Sequence, residues 1–381
     1  MHKKHAMAVG AAGLMMAVMS PAQAFKTTIG NTEVTLGGFV KLDFIYSQYD
    51  SGESAPLGRD FYVPGLIPVG NGPSTSRFDA HAKETRLVFA TVTDFNGYKV
   101  GSYIEADFIV SQGAGDERVT NAYNPGLRRA YITFGGFLAG QDWSTFQNLV
   151  ALPDTLDFVA WPSDGTPFMR QALLRYTTGG FDISLENPET TITNDVGGRI
   201  TPDQNTMPDL VARYRFNVGN ASMSVAGLAR QLRSDANGTE AGYGLSFAGK
   251  IPLGKNDIRF TLSGGDGIGR YLALNTVNDV QIDGNGGLDT INMINGFIAY
   301  RHVWTEQWRS TLALSALSAD HDVLLTGTGV TKSVQTASVN LLYSPVAPLT
   351  LGGEVRYAER EVENGDKGDL TRFQFSVKYS F

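Results

Sequence analysis

The sequence contains no cysteine among its 381 residues, so disulfide bonds have no part in its fold. Beyond its first residues it also lacks any run of about 18 consecutive apolar residues, which excludes a protein that crosses a membrane with helices. Histidine is scarce: after residue 24 only His81, His302 and His321 occur. Nucleophilic hydrolysis needs a serine and a base within hydrogen-bond reach, and no recognisable motif places a serine beside these histidines. An enzyme is therefore disfavoured.

The N-terminus has the features of an export signal. Two lysines precede an apolar run from Ala6 to Met19, which leads to the small-residue site Ala22-Gln23-Ala24. This order is typical of a cleaved secretory signal peptide. A membrane anchor is disfavoured because the run is shorter than the ~20 residues that a spanning helix needs. We expect residues 1–24 to be removed, and residues 25–381 to form one domain, because no linker or shift in composition divides them.

The last stretch, Thr371 to Phe381, shows most clearly the pattern that the rest of the chain repeats. Side chains alternate between the two faces of a strand. Here one face is wholly apolar and ends in Tyr379 and Phe381, whereas the other carries Arg372 and Lys378 among small polar residues. A strand of about ten residues with one aromatic, apolar face and one polar face is what a transmembrane β-barrel requires.

The same alternation recurs in about sixteen segments, joined by long and short connections in turn. Asn96-Gly97 marks one short connection, because this dipeptide favours the positive φ of a tight turn. An even strand number with long loops and short turns is typical of bacterial outer-membrane barrels. A soluble β-sandwich is the alternative, but its apolar faces would need a partner sheet.

We therefore predict an all-β fold: a transmembrane antiparallel β-barrel of about 16 strands in the bacterial outer membrane. Its long loops would be extracellular and its short turns periplasmic. The prediction includes one continuous strand over residues 78–93 and a loop rich in glycine, asparagine and aspartate that extends to residue 290.

The same alternation assigns a set of arginines to the lumen of the barrel. The predicted pore-lining, substrate-attracting arginines are Arg129, Arg175, Arg213, Arg215, Arg259, Arg301, Arg309, Arg356 and Arg360. For Arg230 and Arg233 either orientation fits the pattern. Guanidinium groups supply positive potential and bidentate donors for carboxylate or phosphate. In a chain whose formal net charge is −7, a basic wall indicates the passage of small anions. The alternative is that lumen acids pair with these arginines and only brace the barrel.

One connection, residues 145–169, is unusually apolar for a loop. Its large apolar residues are Leu149, Leu152, Leu156, Phe158, Val159 and Trp161. Because such side chains need burial, we expect this segment to fold into the barrel as a constriction loop that narrows the pore. Asp154 and Asp157 would then face wall arginines across the opening. An external cap at a subunit interface is the alternative.

We predict no cofactor and no metal site. Residues 279–289 have oxygen ligands at calcium-like spacing but lack the terminal bidentate glutamate of an EF-hand, so calcium binding is a minority hypothesis. The glycines between Gly264 and Gly269 are not followed by a helix, which disfavours a phosphate-binding loop. Nothing indicates nucleic-acid binding.

Four runs of residues resemble the DcaP-like family of trimeric outer-membrane porins. They are FLAGQDWSTF at 137–146, PDTLDF at 153–158, RQALLRYT at 170–177 and SGGDGIGRY at 263–271. The resemblance implies a sixteen-stranded barrel, a homotrimer, a constriction loop, and diffusive uptake of dicarboxylates and related aromatic acids. It also implies a pore-lining role for Arg175, Asp154 and Asp157. Some members carry an N-terminal coiled coil, whereas here only residues 25–33 precede the first predicted strand. A trimer would therefore be held by barrel walls and loops.

The sequence thus predicts a passive, anion-preferring porin, in contact with outer-membrane lipid and with further copies of itself, that admits small organic anions. A structural barrel without ion preference is the runner-up, and an outer-membrane hydrolase is a more distant alternative.

Overall fold

The computed structural model describes residues 24–109, 118–157 and 162–381. Except for Ala24, the predicted signal peptide lies outside the described residues. The same holds for Phe158, Val159 and Trp161 of the predicted constriction loop. Within the described part of the chain, no helix is both long enough and apolar enough to span a membrane.

Strands make up most of the described chain. In chain order they are β1 (Phe25–Ile29), β2 (Thr32–Tyr49), β3 (Thr75–His81), β4 (Arg86–Phe95), β5 (Tyr98–Asp107), β6 (Gly126–Phe134), β7 (Phe137–Trp143), β8 (Arg170–Thr178), β9 (Phe181–Glu186), β10 (Ile192–Thr193), β11 (Arg199–Ile200), β12 (Asp209–Val218), β13 (Ala221–Ser234), β14 (Gly238–Leu253), β15 (Asn256–Asp266), β16 (Val280–Ile282), β17 (Leu288–Thr290), β18 (Asn292–Val303), β19 (Trp308–Asp320), β20 (Thr331–Val346), β21 (Leu349–Val362) and β22 (Lys367–Ser380). Two short α-helices are α1 (Pro56–Asp60) and α2 (Val323–Thr326), and single 3₁₀ turns occur at Pro64–Leu66, Leu149–Ala151, Ser163–Gly165, Gly269–Tyr271 and Ala273–Asn275.

The strands close into an antiparallel barrel. β2 pairs with β22 from Phe39↔Ser380 to Tyr49↔Leu370, so the first long strand meets the last. On its other side β2 pairs with both β3 and β4, which together act as one strand of the wall. The short strand β1 pairs with β2 beyond the end of β22, on the same side of β2, and is not counted separately. Counted this way the barrel has 16 strands, as predicted from the sequence. Closure leaves the wall without a free edge.

The predicted alternation of faces is confirmed in the closing strand. Phe373 and Phe375 on β22 are 50% and 45% exposed on the outer surface, whereas Arg372 and Gln374 are buried inside. The short connections are tight turns: Asn96 and Gly97, between β4 and β5, have φ values of 55° and 93°. We assign this end to the periplasm and the long loops to the outside of the cell.

The prediction of one continuous strand over residues 78–93 is wrong. The strand is interrupted at residues 82–85, where the Thr85 N–H donates to the Ala82 carbonyl at 3.0 Å. Strict alternation would point one of the adjacent charges Lys83 and Glu84 at lipid, where a charge is costly. The turn instead buries both inside the barrel, 7% and 1% exposed.

The long loop after β15 is not simply an external loop. Residues 267–291 carry two 3₁₀ turns and strands β16 and β17, which join β10 and β11 in a small four-stranded sheet. Ile268, Tyr271, Leu272 and Ile291 from this segment are fully buried. They pack with Phe146 of the constriction loop and with apolar wall residues, so part of the lumen is filled by a hydrophobic cluster.

Candidate functional site

The described parts of the constriction loop, residues 145–157 and 162–169, enter the barrel. Its buried apolar residues include Phe146, Leu152 and Leu156, at most 7% exposed. Near its end the turn Ser163–Gly165 presses against β18 and β19. Ser315 donates to the Asp164 carboxylate at 3.0 Å, and the Asn295 side chain donates to the Asp164 carbonyl at 3.0 Å. The segment therefore lies against this wall.

The middle of the constriction loop is attached to the same side of the barrel. Arg309 on β19 contacts Asp154 with an N to O distance of 2.6 Å. Burial alone would raise the pKa of Asp154, but the positive charges of Arg309, Lys378 and Arg259 together outweigh burial and hold that pKa below its usual value. The Leu156 N–H donates to Glu354 on β21 at 3.1 Å, and Arg259 on β15 donates to the Leu152 carbonyl.

The two predicted acidic residues of the loop have different positions. Asp154 does not face an arginine across an open pore, because it contacts Arg309 directly. Asp157 is 1% exposed, and its Oδ2 accepts the Tyr62 N–H at 3.0 Å. Tyr62 belongs to the loop after β2. The phenol of Tyr62 in turn contacts the Thr336 hydroxyl at 2.6 Å. A second inward-folded loop therefore packs on the constriction loop.

The opposite wall carries four of the predicted arginines together. Arg129 on β6 and Arg175 on β8 both pair with Asp142, at 2.6 and 2.9 Å. Arg129 also lies 3.7 Å from Glu105. Arg213 and Arg215 on β12 both pair with Asp182, at 3.0 Å each. Strand alternation and pairing of neighbouring strands bring them to one face. All four arginines line a cavity of about 270 Å³ below the constriction loop, here named the lumen cavity.

The remaining predicted arginines also lie on the inner face, each with a partner. Arg259 and Arg301 share Asp257, at 2.7 and 2.6 Å. Arg356 pairs with Glu354 at 2.8 Å, and its guanidinium lies 4.7 Å from the Tyr62 ring.

Arg360 has contacts of a different kind. It donates to the Thr331 hydroxyl at 2.9 Å and to the Ile67 carbonyl at 3.0 Å. The nine arginines thus brace the wall and the inward loops, and four of them also line the lumen cavity.

The structure resolves the orientation of the two ambiguous arginines on β13. Arg230 points inward with a fully buried side chain and pairs with Asp279 at 2.8 Å and with Asp209 at 3.4 Å. Arg233 lies three residues further along β13 and, unlike Arg230, is not buried inside the barrel. Its side chain is 34% exposed and pairs with Asp235 near the end of the strand.

Sequence reasoning missed Arg86 on β4. It is 3% exposed and pairs with Asp107 at 2.6 Å and Glu105 at 3.0 Å. Its alternation with the outward residues Leu87 and Phe89 was a signal that could have found it.

The acidic stretch considered for calcium uses its oxygens within the protein. Asp279 accepts from Arg230, and Asp283 accepts the N–H groups of Asn285 and Gly287, each at 2.7 Å. Asp289 accepts from Gln281 at 2.8 Å. In residues 24–109, 118–157 and 162–381, no group of three or more histidine, aspartate or glutamate side chains is arranged to hold a metal ion.

The three mature histidines have partners in the wall or the loops. His81 lies 3.2 Å from the Asp60 carbonyl, His302 lies 3.1 Å from the Tyr300 hydroxyl, and His321 lies 3.1 Å from Glu363. Their partners are not serines.

Comparison with known proteins identifies what the chain is similar to. The family described as DcaP outer membrane protein matches residues 25–381. The crystal structure of the outer membrane channel DcaP of Acinetobacter baumannii is 25% identical, with a TM-score of 0.77, and the match covers 94% of this chain and 100% of that one.

More distant barrels show the same fold. A loop L8 deletion mutant of OmpT, an outer membrane protein of Vibrio cholerae, is 10% identical, with a TM-score of 0.56 over 92% of this chain and 100% of that one. Salmonella typhi OmpF in complex with daunomycin is 10% identical, with a TM-score of 0.56 over 94% and 100%. No curated protein matches the sequence.

Proposed function

Because this chain belongs to the DcaP outer membrane protein family, and is a porin of the outer membrane rather than an enzyme, we propose that it conducts small organic anions in preference to cations. Conduction would be passive. The chain lines its lumen cavity with fixed charges, and a fixed charge raises the local concentration of the opposite ion.

One observation carries the proposal: the excess of positive charge around the lumen cavity. Four arginines line this cavity, and the carboxylates that pair with them are Asp142, Asp182 and, at 3.7 Å from Arg129, Glu105. Asp142 and Asp182 are each shared between two guanidinium groups, so four arginines are paired with three carboxylates and one positive charge stays uncompensated within the group. A potential of this sign attracts anions and repels cations.

The position of the constriction loop supports the same proposal. The part of the loop around Asp154 lies against the wall that carries Arg309, Arg259 and Glu354, and Asp154 neutralises Arg309. The first residues of the loop contact the lumen-cavity arginines through neutral oxygens, because Arg175 donates to the Thr145 hydroxyl and Arg213 donates to the Gln147 carbonyl. The arginines of the opposite wall keep their excess charge. Small solutes would therefore pass along the basic wall.

The test is the reversal potential of the purified protein in planar bilayers under a KCl gradient. We expect the sign that reports chloride preference. Equal permeability would favour the runner-up, a structural barrel without ion preference, and a preference for potassium would overturn the proposal outright.

Within the anions, we propose dicarboxylates as the principal class, on the basis of the family resemblance. Guanidinium groups that share carboxylates in the wall can also bind carboxylates of a solute. Liposome swelling with succinate, glucose and a neutral amino acid tests this proposal. Succinate should permeate fastest, and faster entry of glucose would contradict it.

Two further proposals concern the mature assembly. Removal of residues 1–24 would make Phe25, the first residue of β1, the new N-terminus, and mass spectrometry of the outer-membrane protein measures the resulting mass directly.

We also propose a homotrimer. The outer face near barrel closure exposes Phe44 and Phe375, whose rings are 6.4 Å apart, and a second copy could cover them. Native mass spectrometry should find three copies, and a single copy would contradict this.

A further inference from the structure

A second cavity, of about 320 Å³, opens at the extracellular ends of β6, β7 and β8. It is bounded by three arginines, Arg128, Arg170 and Arg270, and by the apolar side chains of Leu127, Met169 and Leu274. We name it the outer arginine site. None of its arginines belongs to the set that lines the lumen cavity.

The two cavities are neighbours. The Arg170 guanidinium lies 4.4 Å from the Trp143 ring centroid, and Trp143 itself lines the lumen cavity. Trp143 and Arg170 are also paired across β7 and β8. A solute in the outer arginine site is therefore one side chain away from the basic wall of the lumen.

Arg170 is unlike the wall arginines because its side chain makes no hydrogen bond and no ion pair within the described residues. Its Nη1 is buried without a hydrogen-bond partner there, and its contacts are the ring faces of Trp143 and Phe168. Arg128, beside it in the cavity, pairs with Asp107 through Nε, while its Nη2 is also buried without a partner. Two guanidinium groups thus carry unused donors at one cavity.

Such an arrangement is costly for the protein alone. A partly buried cation without an ion-pair partner loses hydration, and contacts with aromatic rings recover only part of that loss. A carboxylate matches the planar fork of a guanidinium and would compensate the charge. The third arginine is already committed, because Arg270 donates to Gln171 at 2.6 Å and lies 3.6 Å from Asp209. The unused capacity is therefore centred on Arg170 and Arg128.

We propose that the outer arginine site binds the carboxylate of a small organic anion with an apolar body, before that anion reaches the lumen cavity. The carboxylate contacts Arg170 and Arg128, and the apolar body packs against Leu127, Met169 and Leu274. This inference rests on the proposed anion conduction and adds to it a saturable capture step on the extracellular side.

The probe is hexanoate, with hexylammonium as the cation of matched tail length. Chloride current through the purified protein in planar bilayers is measured while either probe is added to each side in turn. Hexanoate should reduce the current saturably from one side, and hexylammonium should not. Arg170→Gln should raise the half-blocking hexanoate concentration about tenfold or more, the range typical of a lost hydrogen bond to a charged group.

Two more variants separate the site from general charge effects. Arg170→Lys keeps the charge but loses the fork, so we expect an intermediate half-blocking concentration. Arg233→Gln removes an arginine that lines neither cavity, and it should behave as the wild type. An equal shift in Arg233→Gln and Arg170→Gln would overturn the inference, as would equal block by the two probes.

The outcomes also separate this inference from the proposed function. Chloride preference in the wild type without saturable hexanoate block overturns the outer arginine site alone. If the wild-type protein shows no preference for chloride, the proposed function itself is overturned. If Arg170→Gln does not fold, the comparison of the two probes on the wild type still decides the matter.

Discussion

Neutralising Arg215 should weaken anion preference with little damage to the barrel. Its side chain is 29% exposed, more than that of Arg213, which shares its partner. After Arg215→Gln, Asp182 would still pair with Arg213 at 3.0 Å and accept from Thr177 at 2.7 Å. No buried carboxylate is left without a partner, so the change removes one unit of lumen charge and little else.

The size of the effect follows from the dimensions of the lumen cavity. A cavity of about 270 Å³ places an ion roughly 4 Å from its wall, where one unit charge changes the ion's free energy by about 1 kcal/mol in water. Since 1.4 kcal/mol corresponds to a factor of ten, chloride occupancy should fall about fivefold. Potassium occupancy should rise, because the same potential acts on it with the opposite sign.

The assay is the permeability ratio of chloride to potassium from reversal potentials, near 0.1 M and near 1 M salt. At the higher concentration the Debye length is about 3 Å, so most of the difference between variant and wild type should vanish. Arg233→Gln is the control, since this arginine does not line the lumen cavity. An unchanged ratio at low salt would refute the assignment of selectivity to this wall, provided that the variant forms channels.

Three further changes test how the loops are held. In Gly165→Ala the new Cβ would lie 2.3 Å from the Gly296 carbonyl oxygen, so the constriction loop must move, and this movement should lower the free energy of unfolding by about 1–3 kcal/mol. We also expect a lower single-channel conductance. Unchanged conductance and melting temperature would contradict this prediction. Burial raises the pKa of Asp164 to about 6, so the folded protein binds this proton at higher pH than the unfolded chain. Stability should therefore be gained as the pH falls from about 6 to below about 4 and lost as it rises, by about 3 kcal/mol in all, of which about 1 kcal/mol is present at pH 5. Thermal melting at pH 5 and 7.5 should show this gain in the wild type and not in Asp164→Asn, and parallel profiles would count against it. Tyr62→Phe removes the contact with the Thr336 hydroxyl at 2.6 Å and should lower the free energy of unfolding by about 1 kcal/mol in a denaturant titration, without altering the permeability ratio.

The inward orientation of the wall arginines was accessible from the sequence. Arg213 and Arg215 alternate with outward-facing residues such as Leu210 and Tyr214, of which Tyr214 is 54% exposed on the outer face. Lipid on one side and water on the other impose this period of two on each strand separately. Parity failed where a strand breaks, as at Lys83 and Glu84, because a local turn changes the register of inside and outside.

The inward folding of residues 267–291 was not accessible in the same way. Their many glycines, asparagines and aspartates indicated a surface loop, yet the Tyr271 hydroxyl donates to Asp209 at 2.9 Å and the ring is fully buried. Loop sequences lack the regular alternation of apolar and polar residues that strands have, so the sequence does not show which loop side chains are buried. Their burial depends on contacts with residues far away in the chain. The outer arginine site was missed for the same reason, since Arg170 and Arg270 meet only when two loops fold into one barrel.

The sequence by itself determined the barrel, its strand number, its membrane and the basic inner face. In each strand, lipid-facing apolar residues alternate with water-facing polar residues, and this alternation is visible without any other part of the chain. Only the tertiary structure decided where the lumen cavity lies. The constriction loop is held by pairs such as Arg309 and Asp154, which are 155 positions apart in the chain. Such pairs hold the part of the loop around Asp154 at one wall, whereas Arg129, Arg175 and their neighbours on the other wall line the lumen cavity.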